Sequence, residues 1–322
     1  MQKSLDLISE DLTKVEAQFQ EFLASDVYLV RKVGEYVIAS GGKRLRPMLL
    51  LLSARLAGYR GSDHIGLAAV VEFLHTATLL HDDVVDDAIL RRGNASANSL
   101  WGNQASVLVG DFLFAKSFSI MVGTGSLDVL RVLSDATTKM AEGEILQLVG
   151  TCDLDMDEPR YLDVVRSKTA ILIAATCQVG GILGGVESGR EQALEHFGMD
   201  LGIAFQFMDD ALDYVAEEAE FGKARGHDLE EGKMTLPLIH ALRQCSADER
   251  ERVEEIIEKE ELPIDDLNWV CDLIARYKGI EHTRQRALEL VAQAKRRLAD
   301  FPECAARDAL YDLADYVVSR RK

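Results

Sequence analysis

Apolar residues recur every three or four positions along almost the whole chain, and no stretch alternates apolar with polar residues convincingly enough to make a strand. That period is helical. It predicts helices over about 4–24, 26–40, 47–58, 64–89, 104–122, 126–150, 158–184, 188–217, 233–244, 246–260, 264–277, 279–300 and 303–320. The prolines agree: Pro47, Pro159 and Pro263 fit first helical turns, where a missing N–H is tolerated, and Pro237 follows a Thr-Leu step. The expected fold class is all-α. No Pro-, Gly- or Ser-rich linker interrupts the 322 residues, so 1–322 is expected to form one large helical domain.

One stretch, Thr169 to Val186, carries no charge and is long enough to be weighed as a membrane span. Gln178 and the glycines 180, 181, 184 and 185 dilute its hydrophobicity. Small residues four apart let helices approach closely, which favours a buried central helix.

Two copies of one acidic pattern stand out from this apolar background. They are Asp82-Asp83-Val84-Val85-Asp86 and Asp209-Asp210-Ala211-Leu212-Asp213. Helical positions i and i+4 share a face, so each copy points two carboxylates the same way. A single copy in so acidic a chain is equally well read as a solvated helix face. Each copy, however, follows an apolar run, Thr78-Leu79-Leu80 or Phe205-Gln206-Phe207-Met208, which turns both faces inward. Unpaired buried carboxylates are costly, so inward-facing clusters call for cations. Hard oxygen ligands with room for water and phosphate are those magnesium prefers when it holds a diphosphate.

Basic residues flank both copies. Gly41-Gly42-Lys43-Arg44-Leu45-Arg46-Pro47 reads as a loop entering a helix, and Arg91-Arg92-Gly93-Asn94 as the close of the first aspartate helix. Lys43 and Arg46 are either surface charge or a phosphate cradle shared with helix amides. Arg91 and Arg92 are either C-terminal helix caps or phosphate ligands. His75 lies two turns before Asp82 on a similar face, where a packed core histidine is the commoner reading. Lys168-Thr169, Gln206, Lys223 and Lys233 are weak signals one by one.

The net charge of −18 opposes a phosphate backbone and excludes nucleic acid as an expected partner. Five cysteines without metal or redox spacing read as reduced thiols, so a cytoplasmic protein, or one peripheral to the membrane, is expected. Asp6, Glu10, Asp11 and Glu16 among the first apolar positions suit a helix rather than a secretory signal.

The run Glu72-Phe73-Leu74-His75-Thr76-Ala77-Thr78-Leu79-Leu80-His81-Asp82-Asp83-Val84-Val85-Asp86, with Arg91-Arg92-Gly93 after it, closely resembles the first aspartate-rich region of trans-isoprenyl diphosphate synthases. The Gly-Gly-Lys loop, Gly110-Asp111-Phe112, Gly143-Glu144, Ser167-Lys168-Thr169-Ala170, the second aspartate copy and Gly232-Lys233-Met234-Thr235-Leu236-Pro237 resemble that family in its usual order. The likeness is strong over about 35–240 and nearest to the octaprenyl, solanesyl and decaprenyl branch.

The resemblance implies an antiparallel helical bundle around a deep central cavity, a homodimer, and magnesium in two or three ions. It implies that isopentenyl diphosphate is held by Lys43, Arg46, His75 and Arg92, and the allylic diphosphate by Arg91, Lys168, Thr169, Gln206, Lys223 and Lys233. Asp82, Asp86 and Asp209 become the main magnesium ligands, with Asp83, Asp210 and Asp213 supporting them. Catalysis then rests on Asp82, Asp83, Asp86, Arg91, Lys168, Asp209 and Lys233. Short-chain members place bulky aromatics a turn or two before the first aspartate copy, where this chain has Leu74, Ala77 and Thr78, so these residues are expected to set product length. A C40–C50 product destined for a quinone side chain, leaving through transient membrane contact, completes the expectation. Asp87, Arg225 and His227 are additions that the resemblance does not explain.

Three competing readings are discriminated by sequence features. A His/Asp metal phosphohydrolase could use His81-Asp82 but leaves the second aspartate copy and Lys43/Arg46 idle. A class I terpene cyclase ordinarily lacks the Gly-Gly-Lys-x-x-Arg-Pro cradle, and a non-catalytic regulatory subunit would carry degraded aspartate motifs.

Overall fold

The computed structural model describes residues 2–40, 42–91, 93–215, 226–259 and 262–320. The elements are α1 (Gln2–Phe22), α2 (Tyr28–Ala39), α3 (Leu45–Leu56), α4 (Asp63–Val85), β1 (Leu90–Arg91), β2 (Asn94–Ala95), α5 (Ala97–Trp101), α6 (Asn103–Gly123) and α7 (Leu127–Val149). There follow α8 (Glu158–Val165), a wide π turn (Arg166–Ala170), α9 (Ile171–Gly184), α10 (Ser188–Asp213), α11 (His227–Glu230), α12 (Leu236–Leu242), α13 (Ala247–Ile257), α14 (Ile264–Arg276), α15 (Gly279–Arg297) and α16 (Ala305–Ser319). The helical period was therefore the right guide, and the departures from it are local.

The chain forms two compact units. The first comprises residues 1–137, 172–198 and 295–313, the second 138–171, 199–294 and 314–322. In the first, α4 packs against α1, α3 and α6, and Leu67 through Leu74 are all buried. A helix buried on every side shows no amphipathic stripe, which is why this segment is apolar all round. The charge within it, Glu72, pairs with Arg44 at 3.1 Å. Arg44 also reaches Glu16 at 2.9 Å and donates to the Ile38 carbonyl at 2.9 Å, with its guanidinium 5.0 Å from the Phe19 ring centre.

The uncharged stretch has a packing explanation. A Cβ added to Gly180 would lie 2.5 Å from the Ser53 Cβ, and one on Gly184 would lie 2.3 Å from the Ala57 Cβ, so the small residues of α9 let α3 approach its backbone. Among the described residues, Glu158–Gly184 and Asn103–Gly123 are long and apolar enough to cross a membrane, and the former is more than half buried within the protein.

Several expected ends need correction. The first aspartate helix stops at Val85 and not near residue 89, because Asp87 adopts a left-handed conformation (φ 47°) that an α-helix does not continue through. Arg91 consequently does not close the helix. It sits in a hairpin of two-residue strands in which Leu90 pairs with Ala95 and Arg91 with Asn94. A ladder that short has no period to read. Helix α3 starts at Leu45, placing Arg46 in its first turn, where Pro47 is also tolerated. The second aspartate helix ends at Asp213, and the helix expected from residue 233 starts at Leu236 and runs only to Leu242.

In the second unit, α7 meets the wide turn through Gly143. A Cβ there would fall 2.5 Å from the Lys168 amide nitrogen and 2.8 Å from the Ser167 carbonyl carbon. Backbone cannot swing aside as a side chain does. Gly143→Ala is therefore expected to destabilise the protein by about 1–3 kcal/mol, read as a lower thermal midpoint. An unchanged midpoint would show that α7 yields freely.

Candidate active site

The first aspartate copy straddles the C-terminus of α4. Asp82 lies inside the helix and Asp86 caps it, its amide donating to the Asp82 carbonyl at 2.8 Å, so the two remain one turn apart. Both are half-buried, whereas Asp83 is only 3% exposed. The Asp83 carboxylate takes Arg91 Nε and Nη2, each at 2.5 Å, and Asn98 Nδ2 donates to the Asp83 carbonyl at 3.0 Å. Arg91 thus reaches back from the hairpin to anchor the middle aspartate.

The second copy divides its work in the same way. Asp209 and Asp213 are half-buried, and Asp210 is 1% exposed. Gln206 Nε2 donates to Asp210 Oδ1 at 2.8 Å, and the buried Tyr161 hydroxyl donates to Oδ2. Burial, followed by the neighbouring Asp228 charge, pushes Asp210 up to about 8. The same burial and the Asp210 charge raise the Tyr161 phenol, which stays a donor. Asp213 Oδ2 accepts the Asp228 amide at 3.2 Å and so fixes the start of α11.

A cavity of about 170 Å³ in the second unit is lined by Lys168, Thr169, Gln206, Asp210 and Lys233, five residues singled out from sequence. Tyr161, Asp228, Gln147 and Thr235 complete its polar wall. Lys168 Nζ is held by Glu144 at 2.7 and 2.8 Å, Thr169 Oγ1 donates to Gln206 Oε1 at 2.9 Å, and Lys233 Nζ lies 2.5 Å from Glu231. Each cation is therefore positioned by a carboxylate and remains partly exposed. The π turn that carries Lys168 and Thr169 is of a kind often found at functional sites.

Of the remaining expected residues, Lys43 is exposed and Arg46 half-buried in the first turn of α3, whose N-cap makes no side-chain capping bond. His75 is half-buried, and its carbonyl accepts the Thr78 hydroxyl at 2.8 Å. Ala77 and Leu74 are fully buried, and Thr78 is half-buried. Arg92, Lys223 and Arg225 lie outside the described residues, whereas Asp87 is exposed and His227 is within 3.5 Å of Glu230 and 3.4 Å of Glu231.

Sequence reading missed Tyr161, although it stands seven residues before Lys168 on one helix face, a spacing that could have revealed it. It also missed Glu144 as the partner of Lys168, and Arg320, which pairs with Asp209 at 2.7 Å.

Among the described residues no three His, Cys, Asp or Glu side chains form a ready metal cage. The donors nevertheless suit a hard divalent cation that keeps several water or phosphate oxygens, because Asp82 and Asp86 offer half-exposed carboxylates a turn apart. His81 is not free to join a histidine-rich metal site. Its ring is 3.2 Å from the Val107 carbonyl and 3.4 Å from Asp111, and it stacks on Phe114.

These elements make up the all-α isoprenoid synthase fold. The polyprenyl synthetase family model matches residues 27–274, and the chain belongs to that family. It is 44% identical over 323 aligned positions to octaprenyl diphosphate synthase of Escherichia coli (strain K12), covering 99% of each chain. A decaprenyl diphosphate synthase structure from Rhodobacter capsulatus superposes with a TM-score of 0.95 at 45% identity, covering 100% of this chain and 99% of the other. A polyprenyl synthase structure from Caulobacter crescentus CB15, complexed with calcium and isoprenyl diphosphate, gives 0.96 at 42% identity, covering 100% and 98%.

Proposed function

We propose that this chain is a prenyltransferase, a long-chain trans-polyprenyl diphosphate synthase that adds isopentenyl diphosphate repeatedly to an allylic diphosphate primer, to about C40–C50. The observation that carries this reading is the division of labour in both intact aspartate copies: the second aspartate is anchored in the core, while the first and last stay at the half-exposed face. A regulatory subunit would have no need of either arrangement.

Magnesium, in two or three ions, fits Asp82, Asp86 and Asp209 and would neutralise the leaving diphosphate. Lys168, Thr169, Gln206 and Lys233 bind the allylic diphosphate, joined by Arg91 and, from outside the described residues, Lys223. The held ammonium groups of Lys168 and Lys233 bring fixed positive charge to the leaving group. Lys43, Arg46, His75 and Arg92 hold isopentenyl diphosphate, with the uncapped amides of α3 facing its phosphates. The allylic carbon–oxygen bond breaks, the electron pair leaves with the diphosphate, and the isopentenyl double bond forms the new carbon–carbon bond. Loss of a proton to the departing diphosphate restores a trans alkene. Apolar walls keep water from the cation. Leu74, Ala77 and Thr78 set the length at which growth stops.

The whole chain acts as one catalytic domain and pairs with a second copy, a state supported by the exposed Val107, Leu108 and Val122 on α6. The enzyme works in the cytoplasm and touches a bilayer transiently, where an apolar product of this length partitions. A quinone side chain is its destination.

Incubation with magnesium, farnesyl diphosphate and labelled isopentenyl diphosphate should yield products near C40 or longer. Inorganic phosphate release without elongation would favour the phosphohydrolase, and a hydrocarbon product the cyclase. In the same assay Lys43→Ala and Arg46→Ala should chiefly raise the Michaelis constant for isopentenyl diphosphate, about tenfold for a lost charge-assisted contact. Lys233→Ala should act mainly on the allylic substrate. Equal impairment of both substrates by all three variants would overturn the pocket assignment.

A further inference from the structure

Arg320 follows the last turn of α16, and its side chain is only 7% exposed. Its Nη2 lies 2.7 Å from Asp209 Oδ1 and donates to the Phe205 carbonyl at 2.8 Å. Nε donates to the Val317 carbonyl at 3.2 Å, and the guanidinium carbon sits 4.0 Å from the centre of the Phe205 ring. The Asp209 side chain, by contrast, is 42% exposed. The contacts to Phe205 and Val317 do not involve Asp209, so the guanidinium keeps its place whatever the carboxylate binds. A fixed donor on Oδ1 constrains the carboxylate and stops the side chain from rotating to offer both oxygens to a cation.

We propose that Arg320 is a positioning residue that holds Oδ1 of Asp209 and presents Oδ2 as a single-oxygen ligand for a divalent cation, an inference that rests on reading Asp209 as a metal ligand. Partners that orient a metal-ligating side chain in this way are commonly worth a factor of about 10–100 in metal affinity. The end of the chain thereby becomes part of the metal-binding apparatus, although it lies 111 residues beyond Asp209. A different function for the contact, a tie that only secures the C-terminal helix, makes a different prediction. It would lower the melting temperature without touching metal affinity.

The test uses the full chain and Mn²⁺ as probe, with inorganic pyrophosphate present and free Mn²⁺ read by its paramagnetic resonance signal. Arg320→Met is expected to weaken Mn²⁺ binding about tenfold, and the magnesium concentration for half-maximal turnover should rise by a similar factor. Circular dichroism should remain that of the parent. Arg320→Lys keeps the charge but cannot span the same contacts with one nitrogen, so it should fall between the parent and Arg320→Met. If Arg320→Met does not fold, parental Mn²⁺ affinity in Arg320→Lys overturns the inference by itself. Unchanged or tighter Mn²⁺ binding in Arg320→Met also overturns it, because the guanidinium would then be a tie or a competing charge. Asp209→Asn separates the two readings. If it keeps parental Mn²⁺ binding, Asp209 is not a ligand and the underlying reading fails; if it loses binding while Arg320→Met does not, only the role of Arg320 fails.

Discussion

Asp82→Ala and Asp209→Ala each lower turnover by at least about a thousandfold, roughly 4 kcal/mol of lost transition-state stabilisation, the scale expected when a metal that neutralises a leaving diphosphate is displaced. The fold survives, because both side chains are half-buried and neither fills the core. Circular dichroism stays parental in both variants and melting stays close to parental in Asp82→Ala, whereas Asp209→Ala also removes the charge partner of the buried Arg320 guanidinium and melts lower; single-turnover condensation collapses in both. The adjacent aspartates behave differently. Asp83→Ala strands the Arg91 guanidinium and Asp210→Ala strands the Tyr161 hydroxyl, so these variants lose stability along with activity. Near-normal turnover in Asp82→Ala or Asp209→Ala would sink the proposed metal role of that copy.

Ala77→Phe changes the product. Ala77 lies five residues before Asp82 on α4, about 7.5 Å down the helix at roughly 1.5 Å per residue, and is fully buried beside the equally buried Leu74. A ring there would block an elongating chain and stop growth near about 15 to 20 carbons, an order-of-magnitude figure from the same helical rise. The substitution also overpacks α4, at a cost of about 1–3 kcal/mol, so melting must be measured beside product length. A folded, active Ala77→Phe enzyme that still makes the full-length product would show that the tail runs elsewhere.

Helices were legible because their period is written in every turn, and the aspartate copies because a pattern repeated at a distance is improbable in a solvated face. What escaped was the choice of partners. Arg44 and Arg46 occupy one short basic loop, yet Arg44 is committed to Glu16, Glu72 and the Ile38 carbonyl, a selection made by tertiary packing. In sequence, Arg320 reads as an ordinary cation near a helix C-terminus. Its contact with Asp209 joins residues with no local relation. The resemblance set Asp83 and Asp210 apart as supporting residues but did not say that they anchor in the core, because helical spacing alone does not say which of two adjacent residues turns inward. The hairpin of β1 and β2 left no periodic trace at two residues a strand.

The wide turn at Arg166–Ala170 makes the length of this helix as consequential as its composition. Its Ile171 amide donates to the Arg166 carbonyl, five residues back instead of four. A residue removed within the wide turn lets ordinary winding return with both flanks in register, but one removed between Tyr161 and Arg166 would turn everything on its N-terminal side by about 100°. Tyr161 would then leave the wall it shares with Thr169, and Asp210 would lose its phenol, although no residue of the site had been replaced. For this enzyme a one-residue deletion between Tyr161 and Arg166, far in sequence from either aspartate copy, is thus a mutation of the second aspartate site, and tolerance to insertions and deletions along Glu158–Gly184 should be judged by rotation rather than by which side chains are lost.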